Sequence, residues 1–248
     1  MIKPKSPDQI EKMRKGGKIA ARILNLLKDS VKPGITTQDL DIIAQKEIKK
    51  TGVTASFLNF HGYPASICAS VNSEVVHGIP AGRILREGDI VGIDLGILYD
   101  GYHTDIAITV PVGKIDYEKN ELIKITKQSL DEGLSIIRPG IKLGDIQNRI
   151  QKIAEGAGYS VIRDLSGHGI GENLQEYPSI PNFGEANAGP VLEEGYTLAI
   201  EPMVAMGDWH VKVLKDGWTV ETEDGLPAAH FEHTIAVTRD GYEILTKE

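Results

Sequence analysis

The sequence predicts an α+β protein made of two pseudo-symmetric halves, in which helices cover one face of a curved antiparallel sheet. Three observations lead to this prediction. Each half contains a pair of helical segments, each pair is followed by two apolar strand segments, and the motifs of the first half return in the second. We therefore interpret residues 1–248 as a single domain, with half-repeats of roughly 1–113 and 114–248.

The first half opens with two predicted helices. Ser6 is a suitable N-cap and Pro7 a suitable first residue for a helix of about 20 residues, which ends before the segment VKPG. A second helix follows in TTQDLDIIAQKEIKKTG, where Gly52 is a stop signal. Its apolar positions form a single stripe: Leu40, Ile43, Ala44 and Ile48.

Two apolar strands follow in GIDLGILYDGYHTDIAITVPVG, and each carries an aspartate, Asp94 and Asp105. Asp100-Gly101 is a strong signal for a two-residue hairpin turn, which would place the two aspartates diagonally across from each other. A four-residue loop beginning at Leu98 would place them directly opposite. With either turn they share the polar face of the hairpin, because side chains alternate along a strand. Carboxylates this close repel each other unless water or a cation screens them.

The second half repeats these features. A helix is predicted at residues 117–137. After it, RPGIKLGDIQNRIQKIAEGAG repeats KPGITTQDLDIIAQKEIKKTG at a distance of about a hundred residues, far longer than a solenoid period. The hairpin also has a twin, because EGDIVGIDLG resembles EGYTLAIEPM and HTDIAITV resembles HFEHTIAVT. Asp94 therefore corresponds to Glu201, and Asp105 corresponds to Glu232.

The duplication predicts a metal site. Strand ladders from the two halves can join into one sheet, which brings the four carboxylates to its polar face. Anions on a sheet backed by helices are costly to leave unpaired, because desolvation and mutual repulsion both oppose ionisation. These strands carry no cluster of lysine or arginine. Divalent metal ions are the simplest source of positive charge for these carboxylates, and two ions about 3.5–4 Å apart would suit bridging carboxylates. For one hairpin taken alone, a solvated face is the alternative.

Two further segments add imidazoles, His77 in EVVHGIP and His168 in LSGHGIGENLQEYP. A histidine in a loop is usually a surface residue, but the flanking glycines allow a close approach of the backbone and favour a tight site. One neutral imidazole beside four carboxylates favours manganese, iron or cobalt over the thiolate-rich sites of structural zinc. The sequence does not choose among these metals.

The motifs GIDLGILYDGYHTD, SGHGIG, IEPMV and FEHTIAVT, in this order, resemble the type I methionine aminopeptidases of the pita-bread (creatinase/aminopeptidase-like) fold over essentially the whole chain. The resemblance implies a catalytic domain that removes N-terminal methionine from peptides and nascent proteins and favours a small second residue. It implies two divalent ions, cobalt, manganese, iron or zinc, held by five ligands: Asp94, Asp105, His168, Glu201 and Glu232. Glu201 would also shuttle protons, and His77 would be the outer histidine near the scissile amide.

The chain departs from the family pattern at a third implied catalytic position. The family has a second outer histidine seven residues after the ligand histidine, where this chain has Gln175. An amide donates a hydrogen bond but carries no positive charge. Since a charge-assisted donor at an oxyanion is worth about 1–3 kcal/mol, we expect weaker turnover than the family pattern would give.

The resemblance also implies an apolar pocket for a methionine side chain. Thioether contacts with aromatic rings and sulfur suit such a pocket, and ordinary core packing is the alternative for every candidate. The candidates are Phe57, Tyr63, Cys68, Leu174 and Trp218. Phe57 occupies a position that is often cysteine in the family, and Leu174 one that is often aromatic. We therefore expect a reshaped side-chain slot.

The composition argues against several other classes of protein. The formal charge of −8 and the pI near 5.4 do not suit nucleic acid as a partner. Cys68 is the single cysteine, which excludes an intramolecular disulfide framework and fits a reducing compartment. No stretch approaches the roughly 18 apolar residues of a membrane span, and no apolar signal segment begins the chain. We therefore expect a cytoplasmic protein without a membrane partner.

Two alternatives stay open for the function. One is a related pita-bread peptidase such as an X-prolyl dipeptidase, although those enzymes usually carry a further N-terminal domain. The other is a weakly active or non-catalytic peptide-binding member, which Gln175 alone favours. The expected partners are the N-termini of peptides and nascent proteins. A monomer is expected, and the sequence leaves contact with the ribosome open.

Overall fold

The computed structural model describes residues 2–248, and within this range it contains helices in two pairs and a set of mostly short strands. The helices are α1 (Pro7–Ser30), α2 (Thr37–Thr51), α3 (Tyr117–Ser135) and α4 (Leu143–Gly156), with a 3-10 turn at Phe60–Gly62. The strands are β1 (Thr54–Ala55), β2 (Cys68–Val71), β3 (Glu74–Val76), β4 (Ile90–Tyr99), β5 (Tyr102–Pro111), β6 (Ser160–Val161), β7 (Ser166–Gly169), β8 (Glu176–Pro181), β9 (Thr197–Ile200), β10 (Met203–Ala205), β11 (Val211–Val213), β12 (Val220–Thr222), β13 (Ala228–His230), β14 (Glu232–Thr238) and β15 (Gly241–Ile244).

The helix termini follow the local signals of the sequence. Ser6 caps α1 in a reciprocal capping box with Gln9, and Gly52 ends α2 in the left-handed conformation. Helix α3 ends two residues earlier than the predicted position 137. Since Pro139 disfavours a helical conformation for the residue before it, the chain leaves the helix ahead of Arg138. None of the helices between residues 2 and 248 combines the length and the apolarity that a bilayer crossing requires.

Nine strands form one antiparallel sheet in the order β1-β4-β5-β14-β9-β7-β8, with β2 beside β4 and β15 beside β14. The two halves meet where β5 pairs with β14 and Ala107 lies opposite Glu232. Tyr99 pairs with Tyr102, so the first hairpin turns on two residues. The diagonal arrangement of its aspartates is therefore the correct alternative, and the four-residue loop is wrong.

The pseudo-symmetry is visible in matching backbone details. Gly34 and Gly140 precede the second helix of each half with φ angles of +96° and +91°, a region that favours glycine. Asp39 and Asp145 each accept a hydrogen bond from the backbone N–H of the N-cap residue of their helix, at 2.9 and 3.1 Å. The predicted fold, two similar halves sharing one curved antiparallel sheet covered by helices, is confirmed.

The helices pack on the apolar face of this sheet. Leu27 and Leu40 from the first helix pair are buried against Ile93 of β4, and Leu134 from the second pair belongs to the equivalent cluster of the other half. Ile108 of β5 packs against both clusters. Each such side chain contributes about 1.5–3 kcal/mol on burial. Because side chains alternate, this packing directs the acidic residues of β4 and β5 to the opposite face.

Two small sheets lie outside the predicted architecture. Strand β9 ends at Ile200, much sooner than its counterpart β4, because Pro202 has no N–H to continue a ladder. The chain resumes in a three-stranded sheet of β13, β10 and β6. The longer loop of the second half forms a hairpin, β11 and β12, which pairs with β3. This hairpin carries Trp218 toward the polar face of the main sheet.

One polar group in the core is poorly satisfied, and its removal is expected to stabilise the protein. The hydroxyl of Thr104 is fully buried, and no residue within 2–248 offers it a hydrogen bond. Thr104→Val should therefore raise the free energy of unfolding by about 1–2 kcal/mol. Thr234→Val is the matched control, because the Thr234 hydroxyl bonds to both the N–H and the carbonyl of Asp105 at 2.8 Å. Urea denaturation should show a gain for the first variant and a loss for the second; two losses of similar size would contradict the assignment.

Candidate functional site

A cavity of about 350 Å³ lies on the polar face of the main sheet. Asp94 and Asp105 come from the β4–β5 hairpin, Glu201 follows β9, and Glu232 begins β14. His168 enters from β7, whose register places it opposite Ala199 of β9. The cavity is lined by all of the predicted metal ligands: Asp94, Asp105, His168, Glu201 and Glu232.

Several of these side chains bring possible ligand atoms close together. One donor atom each from Asp105, His168 and Glu232 lie within 4.8 Å of one another. Nε2 of His168 is 3.6 Å from Oε1 of Glu201. Nδ1 of His168 lies 2.9 Å from the carbonyl oxygen of Gly169, which can only accept, so Nδ1 carries the proton and Nε2 keeps a free lone pair. Burial lowers the pKa of His168 and keeps this imidazole neutral.

The four carboxyl groups oppose one another's ionisation. Burial, followed by repulsion from neighbouring carboxylates, raises the pKa of Asp94, Glu201 and Glu232 well above the ordinary values. Burial also raises the pKa of Asp105 to about 7, against the lowering effect of hydrogen bonds with Asp94 and with the N–H of Ile106. A cation among these groups would reverse this balance, because an adjacent positive charge favours the ionised form.

The donors present fit a divalent cation. Two buried oxygens, Oδ1 of Asp94 and Oε1 of Glu232, have no hydrogen-bond partner within residues 2–248. In the same part of the chain no lysine or arginine lines the cavity, so no side-chain cation neutralises the carboxylates. Oxygen donors with one imidazole suit first-row divalent metals rather than a thiolate-type zinc site. Cys68 pairs with Asp94 in the β2–β4 ladder, but burial raises the pKa of its thiol well above the ordinary value.

His77 and Gln175 line the same cavity beyond the carboxylates. His77 adopts a positive φ of +59°, uncommon for a residue with a side chain, and burial lowers its pKa. Its ring centroid lies 6.5 Å from that of Trp218. Gln175 is exposed at the rim, at the end of the loop between β7 and β8. The cavity therefore has a partly buried neutral imidazole and, at its entrance, an amide that carries no charge.

The candidates for the apolar pocket also meet at this cavity, and they come from distant parts of the chain. Tyr63 and Trp218 pack edge to face with ring centroids 5.1 Å apart. The hydroxyl of Tyr63 lies 3.0 Å from the carbonyl oxygen of Gly78, which fixes its ring. The ring of Phe57 covers Gly96, where a Cβ would come within 2.7 Å of it. All five candidates line the cavity: Phe57, Tyr63, Cys68, Leu174 and Trp218.

Sequence reasoning missed one histidine beside the acidic cluster. His230 is buried, its Nε2 lies 3.5 Å from Oε2 of Glu201, and that nitrogen has no hydrogen-bond partner among the described residues. Burial, with a smaller contribution from His77, lowers the pKa of His230 to about 3. The alternation of strand residues was a usable signal, because His230 stands two positions before Glu232.

Comparison with known proteins shows the family of this chain. The sequence model of metallopeptidase family M24 matches residues 11–239, so the chain belongs to this family. Within it, the chain is similar to enzymes named methionine aminopeptidase. That of Clostridium perfringens is 50% identical over 246 residues, which cover 99% of each chain. The crystal structure of the methionine aminopeptidase from Thermotoga maritima superposes with a TM-score of 0.99 at 47% identity over the full length of both chains.

A second group of solved structures shares the fold alone. The prolidase from Pyrococcus furiosus superposes with a TM-score of 0.80 at 23% identity. The alignment includes 99% of this chain but 65% of the prolidase. The chain therefore has the fold of the wider family, and its length and sequence agree with the methionine aminopeptidases.

Proposed function

We propose that this chain is a metal-dependent aminopeptidase that hydrolyses the bond after an N-terminal methionine and favours a small second residue. The observation that carries the proposal is the cluster of four carboxyl groups and one neutral imidazole beside an apolar pocket. Asp105 and Glu232 are buried in this cluster, and Asp94 and Glu201 are partly buried. Relatives of the same length with about half of the residues identical are named methionine aminopeptidases, which supports the same activity here.

The acidic cluster would hold two divalent ions, of cobalt, manganese, iron or zinc. The five ligands would be Asp94, Asp105, His168, Glu201 and Glu232. Bound at this position, such ions would supply a Lewis acid for the scissile carbonyl and would acidify water for the attack. The unpartnered oxygens of Asp94 and Glu232 support this part of the proposal, because each is a buried acceptor that lacks a donor from residues 2–248.

Three side chains would carry the proton and hydrogen-bond chemistry. Glu201 would take a proton from the attacking water and pass it to the leaving amine. His77 would bond to the leaving nitrogen from the wall of the cavity, as its burial and neutral state allow. The amide of Gln175 would donate to the carbonyl oxygen of the substrate, where negative charge develops.

The surroundings of the carboxylates would set the specificity. The free α-amine of a peptide is a cation and would lie against the acidic cluster, whereas an internal amide has no such group. A methionine side chain would occupy the apolar part of the cavity, in contact with Tyr63, Cys68 and Trp218. Thioethers pack well against aromatic rings and sulfur. Because only an N-terminal residue has a free α-amine, methionine is expected to be removed from N-termini only.

A peptide panel would test the proposal against its two rivals. We expect protein stripped with chelator and reconstituted with manganese or cobalt to cleave Met-Ala-Ser, and to leave Leu-initiated and Xaa-Pro peptides largely intact. Chelation without reconstitution should abolish cleavage. Preferential cleavage of Xaa-Pro peptides would favour an X-prolyl peptidase. If no peptide in the panel is cleaved, the enzymatic proposal fails and the result favours a peptide-binding member of the family.

The remaining partner assignments belong to the same proposal. The substrates would be the N-termini of peptides and nascent chains in the cytoplasm, and the protein would act as a monomer. Contact with the ribosome stays open. Analytical ultracentrifugation of the purified protein would check the oligomeric state.

A further inference from the structure

The loop between β7 and β8, residues 170–175, connects the metal centre to the rim of the cavity. It follows directly after the strand that carries His168 and presents both Leu174 and Gln175 to the cavity. Leu174 is buried, whereas Gln175 is exposed. The conformation of this loop therefore determines the positions of Leu174, a pocket residue, and of Gln175, the proposed hydrogen-bond donor to the substrate carbonyl. No regular secondary structure holds it.

An ion pair between a buried lysine and a partly buried glutamate holds the end of this loop. Nζ of Lys5 donates to Oε2 of Glu176 at 2.8 Å, and the side chain of Lys5 is only 3% exposed. The same ammonium group also bonds to the carbonyl oxygen of Lys3 at 3.3 Å. Oε1 of Glu176 accepts the backbone N–H of Asn173 at 3.1 Å. One carboxylate thus joins the N-terminal segment to the loop and to the first residue of β8.

The loop closes over the stem of Lys5. A Cβ at Gly171 would collide with Cε of Lys5 and would lie 2.6 Å from its Nζ, so this glycine lets the loop pack directly on the lysine. On its other side, Gly171 accepts the backbone N–H of His103 at 2.7 Å. The backbone of Lys5 itself is fixed, because its N–H donates to the carbonyl of Gly195 at 2.7 Å. The position of the Lys5 ammonium group is therefore fixed, and the β7–β8 loop packs around it.

An ion pair so far removed from solvent contributes little net free energy to folding. Desolvation of both charges offsets much of their attraction, so an apolar pair of similar volume would often serve the fold as well. What an ion pair adds is a fixed geometry, because the carboxylate accepts from both Lys5 and Asn173 in one orientation. That geometry is set next to Gln175, where the proposed reaction needs a donor at a defined place.

We propose that Lys5 and Glu176 are positioning residues that set the β7–β8 loop, and with it Leu174 and Gln175, for the substrate. The role of the two loop residues rests on the proposed function. Neither Lys5 nor Glu176 lines the cavity, so both would act through the loop. Exposed Lys3, which lies 3.7 Å from Glu172 of the same loop, makes a solvated pair that has no such role.

The test compares Lys5→Met with Lys3→Met. Methionine keeps most of the apolar stem of Lys5 and removes the charge, so the packing on Gly171 survives while Glu176 loses its partner. We expect Lys5→Met to lower kcat/KM for Met-Ala-Ser by about 10–100-fold, the usual cost of losing a residue that orients a catalytic group. Lys3→Met should match the wild type.

A second measurement separates positioning from a general loss of structure. In a Gln175→Ala background, the effect of Lys5→Met on kcat/KM should be smaller than in the wild type, because one of the two groups that Lys5 positions is gone and only Leu174 remains. Full additivity of the two substitutions would overturn the proposal. The conservative variant Glu176→Gln should reproduce the loss if Lys5→Met folds poorly.

A readout without catalysis keeps the proposal independent of the proposed function. Hydrogen exchange of the amides of residues 170–175 should accelerate in Lys5→Met, while the amides of β4 and β5 keep their wild-type protection. Unchanged exchange in the loop would contradict the positioning role even in an active enzyme. Faster exchange in a protein that cleaves no peptide would support it while the enzymatic proposal fails.

Discussion

Replacing Asp94 with asparagine is expected to lower kcat/KM by at least about 10³-fold while making the metal-free protein more stable. The loss follows because an amide at this position is a poor ligand, and a catalytic metal contributes several kcal/mol to transition-state stabilisation. The gain follows because burial and neighbouring carboxylates oppose the ionisation of Asp94. Peptide hydrolysis and chemical denaturation of the same preparation, with and without manganese, would measure both effects.

The size of the stability effect depends on pH. The carboxyl groups of the cluster have folded-state pKa values above their unfolded values, with that of Asp105 at about 7. Such groups stabilise the fold below the unfolded pKa, near 4, and this contribution is lost as the pH rises through the folded pKa. The free energy of unfolding of the metal-free wild-type protein should therefore fall as the pH rises from about 4 through about 7. Asp94→Asn should relieve part of this loss, by about 1–3 kcal/mol at pH 8 and by little at pH 4.

Asp100→Asn is the control for this substitution. It makes the same chemical change at the turn of the same hairpin, where the side chain is exposed and Oδ2 lies 3.0 Å from Nζ of Lys12. Its positive φ of +48° is well tolerated by asparagine. Activity, metal-induced stabilisation and pH dependence should all stay near wild type. If Asp94→Asn instead kept a full stabilisation by manganese, the assignment of Asp94 as a metal ligand would be wrong.

The elements that the sequence predicted well are those set by contacts a few residues apart. The cap at Ser6 and the stop at Gly52 depend on neighbouring backbone groups, and the turn at Asp100-Gly101 fixes the register of its hairpin. The duplication then supplied the long-range information that such signals lack. Once Asp94 was matched to Glu201, the meeting of the two halves on one sheet followed from strand pairing.

The parts that were not predicted depend on tertiary packing. Nothing near Lys5 in the sequence distinguishes it from Lys3, yet one is buried under the β7–β8 loop and the other is exposed. His230 approaches Glu201 because the chain breaks after β9 and re-forms as β10, which pairs with the strand that His230 ends. The break itself could be expected at Pro202, but the partner of the new strand could not. Local sequence patterns indicate candidate site residues, and tertiary packing determines which of these residues come into contact.

Gln175→His is expected to raise kcat by about 5–150-fold, which corresponds to the 1–3 kcal/mol of a charge-assisted donor at an oxyanion. The residue lies at the rim of the cavity, where an added imidazole has room and stays in contact with solvent. An imidazole in such surroundings titrates near pH 6.5. The gain should therefore be larger at pH 6 than at pH 8.5, where the introduced ring is neutral and donates no better than the amide.

Asn173→His provides the control for an imidazole added to the same loop. Asn173 is exposed and does not line the cavity, so the substitution adds a titrating ring without placing it against the substrate. The ratio of variant to wild-type kcat, followed from pH 6 to pH 8.5, should fall for Gln175→His and stay flat for Asn173→His. Gln175→Ala should lie below wild type at every pH, because it removes the amide donor. If Gln175→Ala equals the wild type, the amide contributes nothing to turnover, and a gain in Gln175→His would then reflect a new interaction rather than the strengthening of an existing one.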